Sequence, residues 1–185
     1  MLQFSFDFQK SIEMSGLFLA LADGRMHNVR LMKLLYMADR KCLEAEARII
    51  TGDKFFAMRK GPVLSTIHDL IRGKNYQSSI WQHYLRTDGH DVVVDNDPGV
   101  GELCRFEKEI IHNVYHGTKD SDVVQLTHAF PEWKKYENLI SDHSTKNSYP
   151  ILIEDILEGL GRLELLGEVK EQIATAQYYK KLFGK

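Results

Sequence analysis

The chain has 185 residues, 43% of them hydrophobic and 27% charged, with a formal net charge of −2. That length and apolar content suit one folded domain with its own core, and the near-neutral balance argues against a bulk nucleic-acid binder. Two cysteines make no disulfide framework, and no apolar run approaches the ~20 residues of a membrane span.

The charge is unevenly spread. Residues 25–86 hold 12 Lys and Arg against 5 Asp and Glu, while the rest hold 12 against 21. Such halves can steer a charged partner, or they can balance each other as solvated faces within the fold. No cationic stretch followed by an apolar one opens the chain, so we expect a cytoplasmic protein without a secretory signal.

Phe4, Phe6 and Phe8 alternate with polar residues and read as a short strand. The period then changes to a helical one, with Ile12, Leu17, Phe18, Leu21 and Ala22 on one face, and Asp23-Gly24 as its stop. Asn28 is placed to cap the next helix. Leu31, Leu34, Leu35, Ala38, Cys42 and Ala45 fall at offsets of three or four and predict one apolar stripe ending near Arg48. Lys33, Arg40, Lys41 and Glu44 take its outer face. Residues 54–60 read as extended. Gly61-Pro62 then sets a corner, with Pro62 at the first position of a helix whose core face is Val63, Ile67, Leu70 and Ile71 and whose end is Gly73.

Ile80 to Arg86 and Asp91 to Asp95 flank Asp88-Gly89 and predict a hairpin. A charged helix follows, with Leu103, Phe106, Ile110, Ile111 and Val114 inward. Asp120, Ser121 and Asp122 can cap a further helix, and Pro131-Glu132-Trp133 opens another. Residues 141–148 are polar and read as a mobile connection. Ile153, Ile156, Leu157 and Leu160 mark a helix, and residues 162–182 a last one, interrupted at Gly167. Cys42 and Cys104 both lie in helical apolar patterns and read as small core residues.

Few patterns carry chemistry. Glu109, His112 and His116 share a helix face at ligand-like spacing, but Asn113 stands where a zincin motif needs Glu. Gly99-Val100-Gly101 lacks the rest of a phosphate loop, and no Gly-x-Ser-x-Gly elbow is present. Cys42 lies on an apolar stripe, and Glu154-Asp155 sit where acids suit a helix start. We therefore expect no catalytic residue, no metal and no cofactor. Helix, helix, hairpin is the order of a winged-helix unit, and Arg30, Arg59, Lys60, Arg72 and Arg86 supply cations. The helix that would read a groove, however, offers Ser65, Thr66, His68 and Asp69, a poor set for phosphates. Tyr36, Met37, Met58, Arg59 and Trp81 are residue types that anchor protein interfaces, and the large apolar ones equally fill cores.

Lys33-Leu34-Leu35-Tyr36 followed by Ala57-Met58-Arg59-Lys60-Gly61-Pro62-Val63 resembles the signature of the Panacea domain, the SocA-like antitoxin family. Leu126-Thr127-His128, Pro131-Glu132-Trp133 and Ile153-Glu154-Asp155-Ile156-Leu157 resemble its later blocks. Where many members have Trp and Tyr within the motif, this chain has Met58 and Lys60. The resemblance implies a non-enzymatic antitoxin that neutralises a toxin encoded nearby by binding it. One member type is instead an adaptor delivering its toxin to the ClpXP protease. Phage-associated relatives also occur.

The combined expectation is a mainly α fold with a small β hairpin (α+β), a helical bundle with a winged-helix-like arrangement. It is one domain over 1–185, with a C-terminal helical extension from about residue 162. The partner surface is expected at Lys33, Tyr36, Met58, Arg59, Lys60, Gly61 and Pro62. The partner is a cognate protein toxin, with a ClpXP-type protease in the adaptor form, and neither nucleic acid nor membrane. The alternative reading is a winged-helix DNA-binding regulator or phage-associated protein.

Overall fold

The structure is a computed structural model, and it describes residues 2–119, 121–141 and 146–183. Its organising element is helix α2 (Asn28–Glu46). Every residue from Leu31 to Asp39 is buried, because α1 (Phe8–Leu21), α5 (Arg105–Gly117), α6 (Val123–His128), α8 (Ile153–Leu160) and strand β3 (Gly61–Leu64) all pack on it. A helix covered from several sides has no solvent face along its middle. The expected stripe is present, but Met32, Lys33, Tyr36, Met37 and Asp39 are buried off it. Lys33 is thus corrected from the outer face to the interior, and Ala45 from the interior to the surface. His27, not Asn28, caps the helix, its Nδ1 accepting from the Val29 N–H at 3.2 Å.

The alternating phenylalanines form no strand; Phe8 opens α1, which Asp7 caps. Asp23 and Gly24 both take positive φ and end that helix. A three-stranded antiparallel sheet follows in the order β1 (Arg25–His27), β5 (Asp91–Val94), β4 (Leu85–Asp88). The hairpin turns at Gly89 as expected, with Asp88 opposite Asp91. Its first arm is shorter than expected, because Ile80 to Tyr84 belong to helix α4 (Ser78–Tyr84). Helical geometry there turns Trp81 into the core, edge-on to Phe8 at 6.5 Å.

The second sheet has the order β3, β2 (Phe55–Met58), β6 (Ser148–Ile151). Strand β6 begins within the stretch read as a mobile connection, of which 142–145 lie outside the described residues; so does Asp120. Pro62 is a strand residue opposite Ala57, not the first residue of a helix. Proline is tolerated there because β3 is an edge strand and need not donate from every residue. Helix α3 (Ser65–Ile71) starts three residues later. Asp53 serves it as a remote cap, accepting from Thr66 N and Ile67 N, each at 2.9 Å.

Cys104 is exposed and caps α5 rather than filling the core, while Cys42 is fully buried. Asp122 caps α6 through Val124 N and Gln125 N. Helix α7 (Pro131–Ser141) crosses β2 and β6. The last helical stretch is divided close to Gly167, where an interruption was expected: a short 3-10 turn covers Leu163–Leu165 and helix α9 runs Leu166–Phe183. The result is a mainly helical α+β fold with two small antiparallel sheets. Among the described residues no helix is long and apolar enough to cross a membrane.

Candidate functional site

The β2–β3 hairpin turns through Arg59 and Lys60, since Met58 stands opposite Gly61. Gly61 has φ +95°, whereas Arg59 and Lys60 are not among the residues with positive φ. That is the pattern of a type I turn closed by a left-handed glycine. Arg59 and Lys60 are exposed, Met58 is half-buried, and Gly61 and Pro62 are buried.

Side chains from two helices hold two carbonyls of this hairpin. From α7, Trp133 Nε1 donates to the Met58 carbonyl at 3.0 Å. From α2, Lys33 Nζ donates to the Pro62 carbonyl at 2.6 Å. From α6, the His128 ring stacks on Trp133 at 4.0 Å with 8° between their planes and so braces the first donor. Donors reaching these carbonyls from separate helices tie the hairpin to the body of the fold. The tip therefore stands on a fixed base, with residues 58–60 facing outward.

Tyr36 belongs to a second buried group beside the first. Its hydroxyl donates to Glu132 Oε1 at 3.1 Å, and Arg40 Nε donates to the same oxygen at 2.6 Å. The Arg40 guanidinium lies 4.3 Å from the Phe130 ring centre, and Tyr36 stacks on the same ring at 6.1 Å. Burial, then the Glu132 charge, pushes the Tyr36 phenol well above its ordinary value. Arg40 and Glu132 thus lock α7 to α2 on the flank of the hairpin.

The expected site residues therefore separate. Met58, Arg59 and Lys60 reach the surface. Lys33, Tyr36, Gly61 and Pro62 sit underneath and shape it, Lys33 with only 1% of its surface exposed. His128 and Trp133 were absent from the expected site, although both fall in the later sequence blocks that follow the Gly-Pro corner. Their role depends on a stacked pair formed across the α6–α7 corner, which no local periodicity reveals.

Part of the excess positive charge of residues 25–86 is paired within the fold. Arg25 pairs with Asp88 and Asp91, Arg48 with Glu107, and Arg86 with Asp95. Arg30 donates to the carbonyls of Thr118 and Ser121. With Arg40 on Glu132, four cations of the basic stretch pair with acids outside it. His112 and His116 stack at 6.2 Å on α5, and Glu109 pairs with Arg105 instead of turning toward them. Among the described residues no group of three or more His, Cys, Asp or Glu could hold a metal ion.

The family model described as antitoxin SocA-like, Panacea domain, matches residues 31–134, more than half of the chain. The chain belongs to this family. No curated protein and no solved structure matches it. The matched span of the Panacea domain opens just before Lys33 and closes just after Trp133, so it contains both hairpin donors, their acceptors and His128. Strand β6 and helices α8 and α9 lie beyond that span.

Proposed function

We propose that this Panacea domain is an antitoxin-like interaction module that neutralises a protein toxin by direct binding, with the Met58-Arg59-Lys60 tip as the docking ledge. The observation that carries the reading is the pinning of the Met58 and Pro62 carbonyls from two separate helices, with the His128 ring stacked on the Trp133 donor. A ledge held this way loses little conformational freedom on docking, and that loss is a main cost of association. It offers one adaptable apolar side chain flanked by two cations. Such a surface fits a partner patch that is apolar at its centre and acidic at its edge. Membership of an antitoxin family supports binding rather than catalysis as the role.

Co-expression with the product of the neighbouring gene tests this. Restored growth of cells expressing that product, with the two proteins co-purifying, is the expected result. Failure to rescue and to co-purify would count against it. Comparing partner levels in cells with and without a ClpXP-type protease separates direct neutralisation from delivery to proteolysis. Under direct neutralisation rescue persists without the protease.

A further inference from the structure

The base of the ledge is held by two basic groups packed around one glycine. A Cβ on Gly61 would stand 2.9 Å from Lys33 Nζ, 3.0 Å from Thr127 Oγ1 and 3.1 Å from His128 Cδ2. Lys33 is almost wholly buried and donates to a neutral carbonyl rather than to a carboxylate. Burial alone pulls its amine down to about 7. On His128, Nε2 is buried without a hydrogen-bond partner, so an imidazolium, which carries N–H on both nitrogens, would leave a buried donor unpaired there. The neutral ring, with its proton on Nδ1 and a lone pair at Nε2, avoids that cost.

The charged groups around this cluster come from several elements. Helix α2 supplies Lys33. Helix α6 supplies His128, with Asp122 at its cap, and α7 supplies Glu137. The hairpin supplies Arg59 and Lys60. For His128, burial and then the Lys33 charge disfavour protonation, while Glu137, the Lys60 carbonyl and Asp122 favour it. The outcome is a pKa below the ordinary imidazole value. Closing the hairpin therefore disfavours a proton at both positions, and exposing either group to water restores its affinity for one.

We propose that Lys33 and His128 make the 58–62 corner a proton-coupled latch, closed over a neutral amine and a neutral imidazole and opened by proton uptake, Lys33 first. The sign follows from linkage. Opening returns Lys33 toward its ordinary value, so the open state binds more protons between about pH 7 and about pH 10 and gains population as pH falls through that window. His128 adds its effect only below the ordinary imidazole value. The consequence for partner capture rests on the proposed ledge, but the latch itself can be measured without any partner.

Amide hydrogen exchange of residues 57–64 in the full chain, corrected for intrinsic rates, tests the latch. Between about pH 9 and about pH 7 the protection of these amides should fall by up to about tenfold per pH unit, while α1 and α8 hold theirs. In Lys33→Met this slope should vanish. Carbon-13 labelling of lysine should show one side chain titrating near 7. Unchanged protection in the wild type, or the same slope in Lys33→Met, would overturn the latch. Should Lys33→Met fail to fold, the wild-type lysine titration decides, and a set in which every lysine titrates near the ordinary value sinks the proposal.

Discussion

Gly61 and Lys33 share one small volume. The Lys33 amine occupies the space that any side chain at position 61 would enter, 2.9 Å from the place of a Cβ. The backbone there also has φ +95°, where L side chains are strained by about 1–3 kcal/mol. Gly61→Ala should therefore destabilise the fold by at least that amount, since the collision with Lys33, Thr127 and His128 adds to the strain. Urea unfolding monitored by Trp fluorescence reads it, and a loss below about 0.5 kcal/mol would contradict the packing described.

The buried pair between Arg40 and Glu132 makes a sharper case. The Arg40 side chain is 12% exposed and that of Glu132 is 0% exposed. Removing one partner leaves an uncompensated charge in a place with little water. Glu132→Ala should cost about 3–5 kcal/mol, and adding Arg40→Met should recover part of that loss. A double-mutant cycle checks it, and strictly additive losses would show that the two groups act independently.

Acid stability should depend on Glu107. Burial would raise its carboxyl, but bonds from Lys10, Arg48 and the Cys104 N–H outweigh burial and hold it below the ordinary value. A carboxyl depressed in the folded state stabilises above its unfolded value, and that stability is lost as pH falls through the folded one. Wild-type Tm should drop across the carboxylate range below about pH 4.5, and Glu107→Gln should flatten that drop while lowering Tm at neutral pH. Parallel wild-type and variant curves at every pH would contradict this assignment.

The sequence made some of this legible and hid the rest for physical reasons. The α2 stripe, the α5 core positions, the Asp122 cap and the Asp88-Gly89 turn follow from local rules, and each is present. Lys33 was misplaced because periodicity finds one buried face, whereas α2 is covered from several directions. Pro62 was misplaced because proline at a helix start and proline on an edge strand look alike until the neighbouring strand is known. Strand β6 went unseen because its four residues, Ser148 to Ile151, contain a proline and gain their strand character only from pairing with β2. In the site itself, the exposed pair Arg59-Lys60 was legible. His128 and Trp133 were not, since Trp133 holds a carbonyl far away in the chain and His128 stacks on it across a helix corner.

The proposed function places the hairpin tip at the surface that meets the partner. Calorimetric titration of the full chain with the neighbouring gene's product, comparing wild type with the Arg59→Glu, Lys60→Glu double variant, addresses it most directly. Both altered residues are exposed, so Tm should change little while affinity falls by at least about a hundredfold, as expected for charge reversal at the centre of an interface. Equal affinity of the two forms would show that the partner binds elsewhere and would contradict the account.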